Sequence, residues 1–395
     1  MSWNKYKLGT LYKVHNGLSK GRTYFGSGFP FLSFSTVFNN YFIPDQLTDL
    51  VQTTEKEQTN YSIKRGDVFV TRTSETSDEL GMSCVALKDY PRATYNGFTK
   101  RMRPITDKVW PEYIGYYMRM QSFRNEFMAF STMTTRASLK NEDLLGLEIL
   151  LPDIDTQKVI SEVLRKYDYL IENNQKQMKL LEEAAQRFYK EWFVDLHFPG
   201  YQDVKIINGV PEGWKIMQLS DIADVVMGQS PKSNFFNQNK NGLPFHQGVG
   251  SYGNRYVKNK VFTTSYTRIA NAGSILFSVR APVGRLNVTK NKIVIGRGLA
   301  AINQKDGYQS YMFYLLKEHY FKDDLIGNGS IFSSITKDEL MNQKFVVPDR
   351  ETMSVYDNIA KTIDKEIDNL DNKINFLSEA RDRLLPKLMS GEVEI

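Results

Sequence analysis

Residues 156–193, TQKVISEVLRKYDYLIENNQKQMKLLEEAAQRFYKEWF, contain neither proline nor glycine and repeat apolar side chains with heptad spacing. This pattern predicts one helix of about 55 Å, which is longer than a single compact domain needs. We therefore interpret the helix as a spacer. The positions predicted to face a partner helix, here called the seam, are Leu164, Tyr167, Ile171, Asn174, Met178, Leu181 and Phe188.

The sequence that leads into this helix occurs twice. SLKNEDLLGLEILLPD at residues 138–153 reappears as SITKDELMNQKFVVPD at residues 334–349, an offset of 196. The same offset predicts a second long helix in which only Arg381 interrupts the apolar seam. Its predicted seam positions are Ile363, Ile367, Leu370, Ile374, Leu377 and Leu384.

The duplication predicts an α+β fold in which two mixed α/β domains are each followed by a long helix. Asp153 or Asp155, and Asp349, are candidate N-caps of the two helices, and Pro386 is expected to kink or end the second. The predicted boundaries are a first domain at 1–151, a spacer helix at 152–193, a linker at 194–211, a second domain at 212–347, and a second helix with its tail at 348–395.

Composition excludes several classes of protein. A chain of 395 residues with 41% hydrophobic content is not disordered or fibrous. A single cysteine, Cys84, allows no intramolecular disulfide. The first residues have no signal-peptide core, and no apolar run is long enough to span a bilayer. We therefore expect a cytoplasmic protein.

One long stretch of the second domain is basic without compensating acids. Residues 225–305 contain no Asp or Glu, whereas Lys and Arg occur 12 times. Because an ordinary surface mixes both signs, this stretch favours a polyanionic partner, and the interleaved Tyr, Asn, Gln and Ser suit nucleic acid. The alternative is a basic domain without a ligand.

Loops that follow predicted strands supply the candidate nucleic-acid contacts. Arg280 and Arg285 flank a turn and can offer guanidinium groups to guanine edges or phosphates, and Gln247 is a possible adenine reader. For each arginine the alternative is a salt bridge within the domain, and for His246 we expect loop packing or a phosphate contact. The full set of candidates is Arg22, Arg72, Arg101, Arg136, Gln247, Arg255, Arg280, Arg285 and Arg297.

The sequence offers no catalytic residue, cofactor site or metal site. It lacks a GxxxxGK[ST] phosphate loop, an Asn/Asp-Pro-Pro-aromatic tetrapeptide and a zinc-ligand spacing. Asp195, Asp203 and Lys205 superficially suit a metal-dependent nuclease, but such a degenerate pattern is common by chance. Two classes of protein explain the sequence only in part. A helical scaffold leaves the basic stretch unexplained, and a DNA-cleaving or DNA-modifying enzyme would need reactive residues that the sequence lacks.

Several segments together resemble the DNA-sequence-specificity subunit of type I restriction-modification systems. They are VPEGW (210–214), GSILFSVRAPVG (273–284), QKFVVPD (343–349), EWFVDLHFPG (191–200) and LLPKLMSGEVEI (384–395). The similarity covers essentially the whole chain. The first half matches less well, since GDVFVTRTSETSDELG lacks the Arg-Ala-Pro-Val-Gly loop.

The resemblance implies two target-recognition domains that read a split site on double-stranded DNA, and two helices paired as an intramolecular antiparallel coiled coil. It also implies docking of two adenine methyltransferase subunits and two ATP-driven restriction subunits, so S-adenosylmethionine, ATP and Mg²⁺ belong to partners. A seam that pairs between chains in a homodimer is the alternative, and Asn174 serves either arrangement. We expect the docking surface on the outer helix faces, with exposed EWF and LPKL segments.

Overall fold

The computed structural model describes residues 3–74, 80–129, 137–320 and 334–393. The chain divides into two compact units. Unit 1 comprises Met1–Asn173 and Lys373–Ile395, and unit 2 comprises Asn174–Asn372. The predicted α+β class is confirmed, with mixed sheets in both units. None of the helices in the described ranges is long and apolar enough to cross a membrane.

Unit 1 builds its core on a four-stranded antiparallel sheet, β2-β9-β5-β7, and a three-stranded sheet, β4-β3-β8, in which β3 and β8 run parallel. The ladder between β1 and β11 joins the start of the domain to the strand before the long helix. Its strands are β1 (Asn4–Lys7), β2 (Tyr12–Asn16), β3 (Phe25–Leu32), β4 (Leu50–Val51), β5 (Val68–Thr71), β6 (Thr73–Ser74), β7 (Ser83–Val85), β8 (Thr94–Tyr95), β9 (Thr99–Pro104), β10 (Ala137–Ser138) and β11 (Glu148–Leu151). Its short helices are α1 (Leu8–Leu11), α2 (Phe34–Asn39), α3 (Glu55–Asn60), α4 (Pro111–Tyr117), α5 (Gln121–Ala129) and α6 (Asn141–Gly146).

Two long helices continue from the two domains. They are α7 (Ile154–Phe193) and α11 (Arg350–Ser390), of 40 and 41 residues. Asp153 and Asp349 cap them, because each Oδ1 accepts a backbone N–H three residues later at 2.9 Å. Pro386 does not end α11, which continues to Ser390.

Unit 2 repeats the plan with an antiparallel sheet, β15-β23-β20-β21, and a mixed sheet, β16-β18-β17-β22-β19, in which β17 and β22 run parallel. The β14–β24 ladder matches β1–β11. Its strands are β12 (Ile206–Ile207), β13 (Val210–Pro211), β14 (Lys215–Gln218), β15 (Ala223–Met227), β16 (Phe236–Asn237), β17 (Leu243–His246), β18 (Phe262–Thr263), β19 (Ile269–Ala270), β20 (Ile275–Ser278), β21 (Leu286–Val288), β22 (Ile293–Ile295), β23 (Leu299–Gln304) and β24 (Lys344–Val347). Its short helices are α8 (Leu219–Ile222), α9 (Gln309–Tyr320) and α10 (Lys337–Met341).

The long helices pair within each unit. In unit 1, Asp168 of α7 binds Arg381 of α11. In unit 2, Phe188 stacks on Tyr356, and the Tyr356 hydroxyl donates to the carbonyl of Ala185. Glu182 of α7 and Asp364 of α11 both bind Arg255, so an earlier residue of α7 lies near a later residue of α11, and the pairing within unit 2 is antiparallel.

Burial of the predicted seam residues is uneven. The structure buries Leu164, Ile171, Met178, Ile367 and Leu370. The others are half-buried, namely Tyr167, Asn174, Leu181, Phe188, Ile363, Ile374, Leu377 and Leu384.

The expectation of exposed apolar side chains at the helix ends is wrong. Trp192 and Phe193 are both buried, because both rings pack against Tyr356 in the core of unit 2. Leu385 and Leu388 of the LPKL segment are also buried, in the core of unit 1. These segments therefore stabilise the units rather than offering a docking surface.

Candidate nucleic-acid interface

Two parallel strands of unit 2 end side by side and bring their following loops together. β17 and β22 stay in register up to His246 and Ile295. Directly beyond them, Gly296 N donates to His246 O at 2.8 Å. Gln247 and Arg297 therefore leave the sheet as neighbours, and both side chains are exposed.

A third loop, after β15, reaches the same place. Gly228 lies so close that an added Cβ would be 2.1 Å from the carbonyl oxygen of Gly296. This contact positions Ser230, whose Oγ donates to Gln247 Oε1 at 2.7 Å and accepts from Arg297 N at 3.2 Å. Only glycine at position 228 permits the approach.

The β20–β21 hairpin borders this group of loops. Val279 N donates to Gly298 O at 3.0 Å. The buried Ser278 hydroxyl accepts from Arg285 N at 2.8 Å, which fixes the base of the hairpin. Arg280 and Arg285 are exposed on the hairpin loop. The name "loop platform" is used below for residues 228–230, 247–248, 279–285 and 296–298.

His246 supports the platform from beneath. It is buried, with Nδ1 hydrogen-bonded to Ser251 Oγ at 2.8 Å and Nε2 to Asn259 Oδ1 at 2.9 Å. Burial lowers the pKa of His246 below its usual value, although the hydrogen bond to Asn259 acts in the opposite direction. The residue therefore holds the segment 248–259 through its hydrogen bonds to Ser251 and Asn259.

Acid should weaken unit 2 through this histidine. Because the folded pKa of His246 is depressed, the unfolded chain binds more protons below about pH 6.5. We expect the free energy of unfolding to fall as the pH drops below that value. His246→Gln should reduce the slope, measured by urea denaturation at several pH values, whereas His197→Gln at an exposed position should not. An equal effect of both substitutions would contradict this role.

Unit 1 has the same loop plan with different side chains. β3 and β8 pair in parallel as far as Leu32 and Tyr95. Directly beyond this pair, Asn96 N donates to Leu32 O at 3.0 Å. A Cβ on Gly17 would lie 1.9 Å from Asn96 O, which matches the close approach of Gly228.

The equivalent positions carry unlike chemistry. Ser19 matches Ser230, but Gly97 stands at the place of Arg297 and Ser33 at that of Gln247. The Ser33 hydroxyl accepts from Thr36 N at 3.3 Å and caps α2. The globular domains of the two units, called heads below, thus share a loop framework and differ in the side chains that they present.

The platform of unit 2 presents hydrogen-bond donors on a basic surface. It lies within the acid-free stretch of residues 225–305. Besides the Gln247 amide, the platform carries three exposed arginines, Arg280, Arg285 and Arg297. Among the described residues, no group of three or more His, Cys, Asp or Glu side chains is placed to hold a metal ion.

Comparison with known protein families gives a match to both halves. Residues 1–183 and 211–384 each match the type I restriction modification DNA specificity domain. The chain belongs to this specificity family. The family assignment fits a chain with two similar heads and a donor-rich loop platform.

Relatives of this specificity chain match over its full length. It is 27% identical over 402 residues to a Methanocaldococcus jannaschii protein named for the type I restriction enzyme MjaX specificity subunit, covering 100% of this chain and 94% of the relative. The MjaIX specificity subunit from the same organism is 24% identical, with the same coverage. The solved type I restriction-modification S subunit from M. genitalium, 14% identical, covers 98% of this chain and 96% of its own with a TM-score of 0.53. That likeness shows a shared fold.

The structure separates the predicted DNA contacts of the specificity chain by exposure. Arg72 is half-buried, with a buried Nε that has no hydrogen-bond partner in the described residues. Arg136 lies outside the described residues. The exposed candidates are Arg22, Gln247, Arg280, Arg285 and Arg297.

Two of the predictions need correction. Arg101 is buried, donates from Nη1 to Ser62 O at 2.7 Å and stacks over Tyr95. Arg255 is 4% exposed and lies 3.3 Å over the Phe313 ring. Both arginines make contacts inside their domains and are not exposed to a duplex.

Arg255 fastens the second domain to both helices. Its guanidinium binds Glu182 of α7 at 3.3 Å and Asp364 of α11 at 2.7 Å. Tyr314 donates its hydroxyl to Asp364 at 3.1 Å. Burial disfavours the charge on Arg255, but the two carboxylates outweigh it and hold the arginine pKa above its usual value. We call this group the Arg255 clamp.

Unit 1 has a related group around Asp168, which aligns with Asp364 under the 196-residue offset. Tyr116 donates its hydroxyl to Asp168, and Arg381 binds the same carboxylate at 2.6 Å. The Arg381 side chain also stacks over Tyr41. The interruption of the apolar seam at Arg381 therefore supplies the partner of a buried acid.

The sequence carries signals for Ser230, Asp168 and Asp364, which were not among the predicted site residues. Gly-x-Ser occurs after the first apolar strand of both halves, at 17–19 and 228–230. An aspartate also recurs at the same helix position, as Asp168 and Asp364. The arginine partners differ between halves, so no repeat pattern indicates them.

Proposed function

We propose that this chain reads a bipartite sequence on double-stranded DNA for a type I restriction-modification complex. The observation that carries the proposal is a shared loop framework with unlike side chains at matching positions: Gln247 against Ser33 and Arg297 against Gly97. Two such heads suit two different short blocks of bases, since base edges are read by side chains on a fixed framework.

We further propose that α7 and α11 set the unread gap between the blocks. Helices of 40 and 41 residues are about 60 Å long, between one and two turns of B-DNA at about 34 Å a turn. A rigid pair of helices fixes a distance, whereas a flexible linker does not.

The family supports partners for this chain. We propose that two methyltransferase subunits and two restriction subunits dock on it, and that S-adenosylmethionine, ATP and Mg²⁺ bind to those partners. The helices expose large apolar side chains that suit docking: Tyr169, Leu180 and Phe376 are 67%, 63% and 72% exposed. A DNA target places the working complex in the cytoplasm.

Methylome sequencing tests the proposal. A host without endogenous adenine methylation would carry this chain together with the methyltransferase subunit from the same genome. We expect methylated adenines in one motif of two blocks with a constant gap, and none when this chain is omitted. An uninterrupted motif would contradict two separate heads. Sequence-specific binding without methylation would favour a stand-alone DNA-binding protein, and neither activity would favour a scaffold.

Arg280→Ala should weaken or relax reading of one block. A well-placed arginine contact to a base contributes about 1–3 kcal/mol of discrimination, or roughly 5- to 150-fold. The changed positions should all fall in one block of the methylated motif, while the other block and the gap stay constant. Arg350→Ala, at an exposed ion pair with Asp306, is the control and should leave the motif unchanged.

A further inference from the structure

The Ser230, Gln247 and Arg297 group has a fixed hydrogen-bond direction. The Arg297 backbone N–H donates to Ser230 Oγ, so the serine hydroxyl hydrogen is directed to Gln247 Oε1. The amide oxygen of Gln247 is thereby occupied. Its NH₂ group has no hydrogen-bond partner among the described residues and lies on an exposed side chain.

Packing holds the amide in this orientation. An added Cβ at Gly296 would lie 2.5 Å from Gln247 Oε1 and 2.9 Å from Cδ. The amide oxygen therefore faces the backbone of Gly296 and the hydroxyl of Ser230. A glutamine that reads adenine needs both amide atoms free, because it accepts from N6 and donates to N7.

The neighbouring side chain also offers donors alone. The Arg297 guanidinium is exposed and makes no ion pair with any described residue. An arginine side chain has five N–H donors and no acceptor. Of the four bases, guanine alone presents two acceptors, O6 and N7, and no donor on its major-groove edge.

We infer, building on the proposed DNA-reading function, that Ser230 locks Gln247 as a donor and that Gln247 and Arg297 together read a guanine in one block of the target. Adenine places an N6 amino group against these donors, and cytosine places N4 there. Thymine offers one acceptor beside a methyl group. Ser230 is a positioning residue, since it acts through the glutamine amide.

Unit 1 lacks this device. With Gly97 and Ser33 at the matching positions, neither side chain can supply the same pair of donors. The guanine requirement thus belongs to the block that unit 2 reads.

Methyl transfer to synthetic duplexes tests the inference. The complete chain, purified with the methyltransferase subunit from its own genome, would be assayed on its methylome motif with each guanine replaced singly by 7-deazaguanine, which lacks the N7 acceptor. We expect one replacement to lower the wild-type rate about ten-fold. Of Gln247→Ala and Arg297→Ala, the variant that has lost the donor to N7 should be insensitive to that replacement.

Serine variants supply the second measurement. In Ser230→Ala the amide is free to turn, so we expect the motif to relax from guanine to guanine or adenine at that one position. Ser230→Thr keeps the hydroxyl and should preserve the wild-type motif, which separates positioning from misfolding.

Three results would overturn the inference: no guanine in either block, 7-deazaguanine effects that are equal in wild type and in both Gln247→Ala and Arg297→Ala, or an unchanged motif in Ser230→Ala. Absence of any wild-type motif would instead reject the proposed function as well.

Discussion

Replacing Arg255 by methionine is expected to lower the stability of unit 2 by about 3 kcal/mol, because removal of one partner from a buried ion pair leaves the other charge uncompensated. Among the described residues, Asp364 then keeps the hydroxyl of Tyr314 alone, and Glu182 keeps Lys317 at 3.1 Å. Methionine retains most of the volume over Phe313, so the loss measures charge rather than a cavity.

The measurement is hydrogen exchange by mass spectrometry, because a chain of two units need not unfold in one step. Peptides from residues 174–193 and 350–372 should lose protection, and those from unit 1 should not. Arg350→Met, at an ion pair whose arginine side chain is 80% exposed, is the matched control with an expected cost below about 1 kcal/mol. Similar losses in both variants would contradict the clamp.

A second substitution removes the charge that Arg255→Met leaves uncompensated on Asp364. Arg255→Met combined with Asp364→Leu removes both charges of the closest pair, and hydrophobic replacement of a buried pair is often neutral. We expect the double variant to regain part of the stability that Arg255→Met loses. Additive losses would show that Arg255 acts through packing alone.

Asp168→Ala should destabilise unit 1 by a similar amount, about 3 kcal/mol. The substitution removes the buried partner of the half-buried Arg381 guanidinium, which keeps the exposed Asp382 at 2.8 Å, and it leaves the buried Tyr116 hydroxyl without its acceptor. Both groups have given up hydration that they cannot recover inside the unit. Hydrogen exchange of residues 154–173 and 373–390 should report the loss.

Glu379→Ala is the control for this site. Glu379 pairs with Arg383 on α11 of the same unit, and both side chains are more than half exposed. Such a pair contributes a few tenths of a kcal/mol. Asp168→Asn should fall between the two, since it keeps an acceptor for Tyr116 and loses the charge. A cost for Glu379→Ala equal to that of Asp168→Ala would contradict the assigned role.

The framework was largely predictable from sequence. Heptad spacing indicated both long helices, and the 196-residue repeat indicated two domains that end in the same strand and cap. These features depend on local periodicity and on Asp153 and Asp349, so a single sequence carries them. The continuation of α11 through Pro386 was harder to predict, because it depends on the packing of Leu385 and Leu388. This packing outweighs the one helical hydrogen bond that the proline removes.

The side-chain roles in the site were less predictable. Arg101 and Arg255 look like Arg280 in sequence, yet the first two are buried. Burial of an arginine depends on distant partners, such as Glu182 and Asp364, which sequence neighbours do not reveal. Ser230 was missed because its importance comes from a loop contact with Gln247, 17 residues away in the chain.

Lengthening both helices together tests the central claim most directly. One heptad inserted after Asn173 and one after Asn372, where the chain divides into its two units, keeps the seam in phase and adds about 10 Å. At about 3.4 Å per base pair, methylome sequencing should show the same two blocks with a gap about three base pairs longer. Methylation of the same blocks with the original gap would contradict the claim that the helices set the spacing.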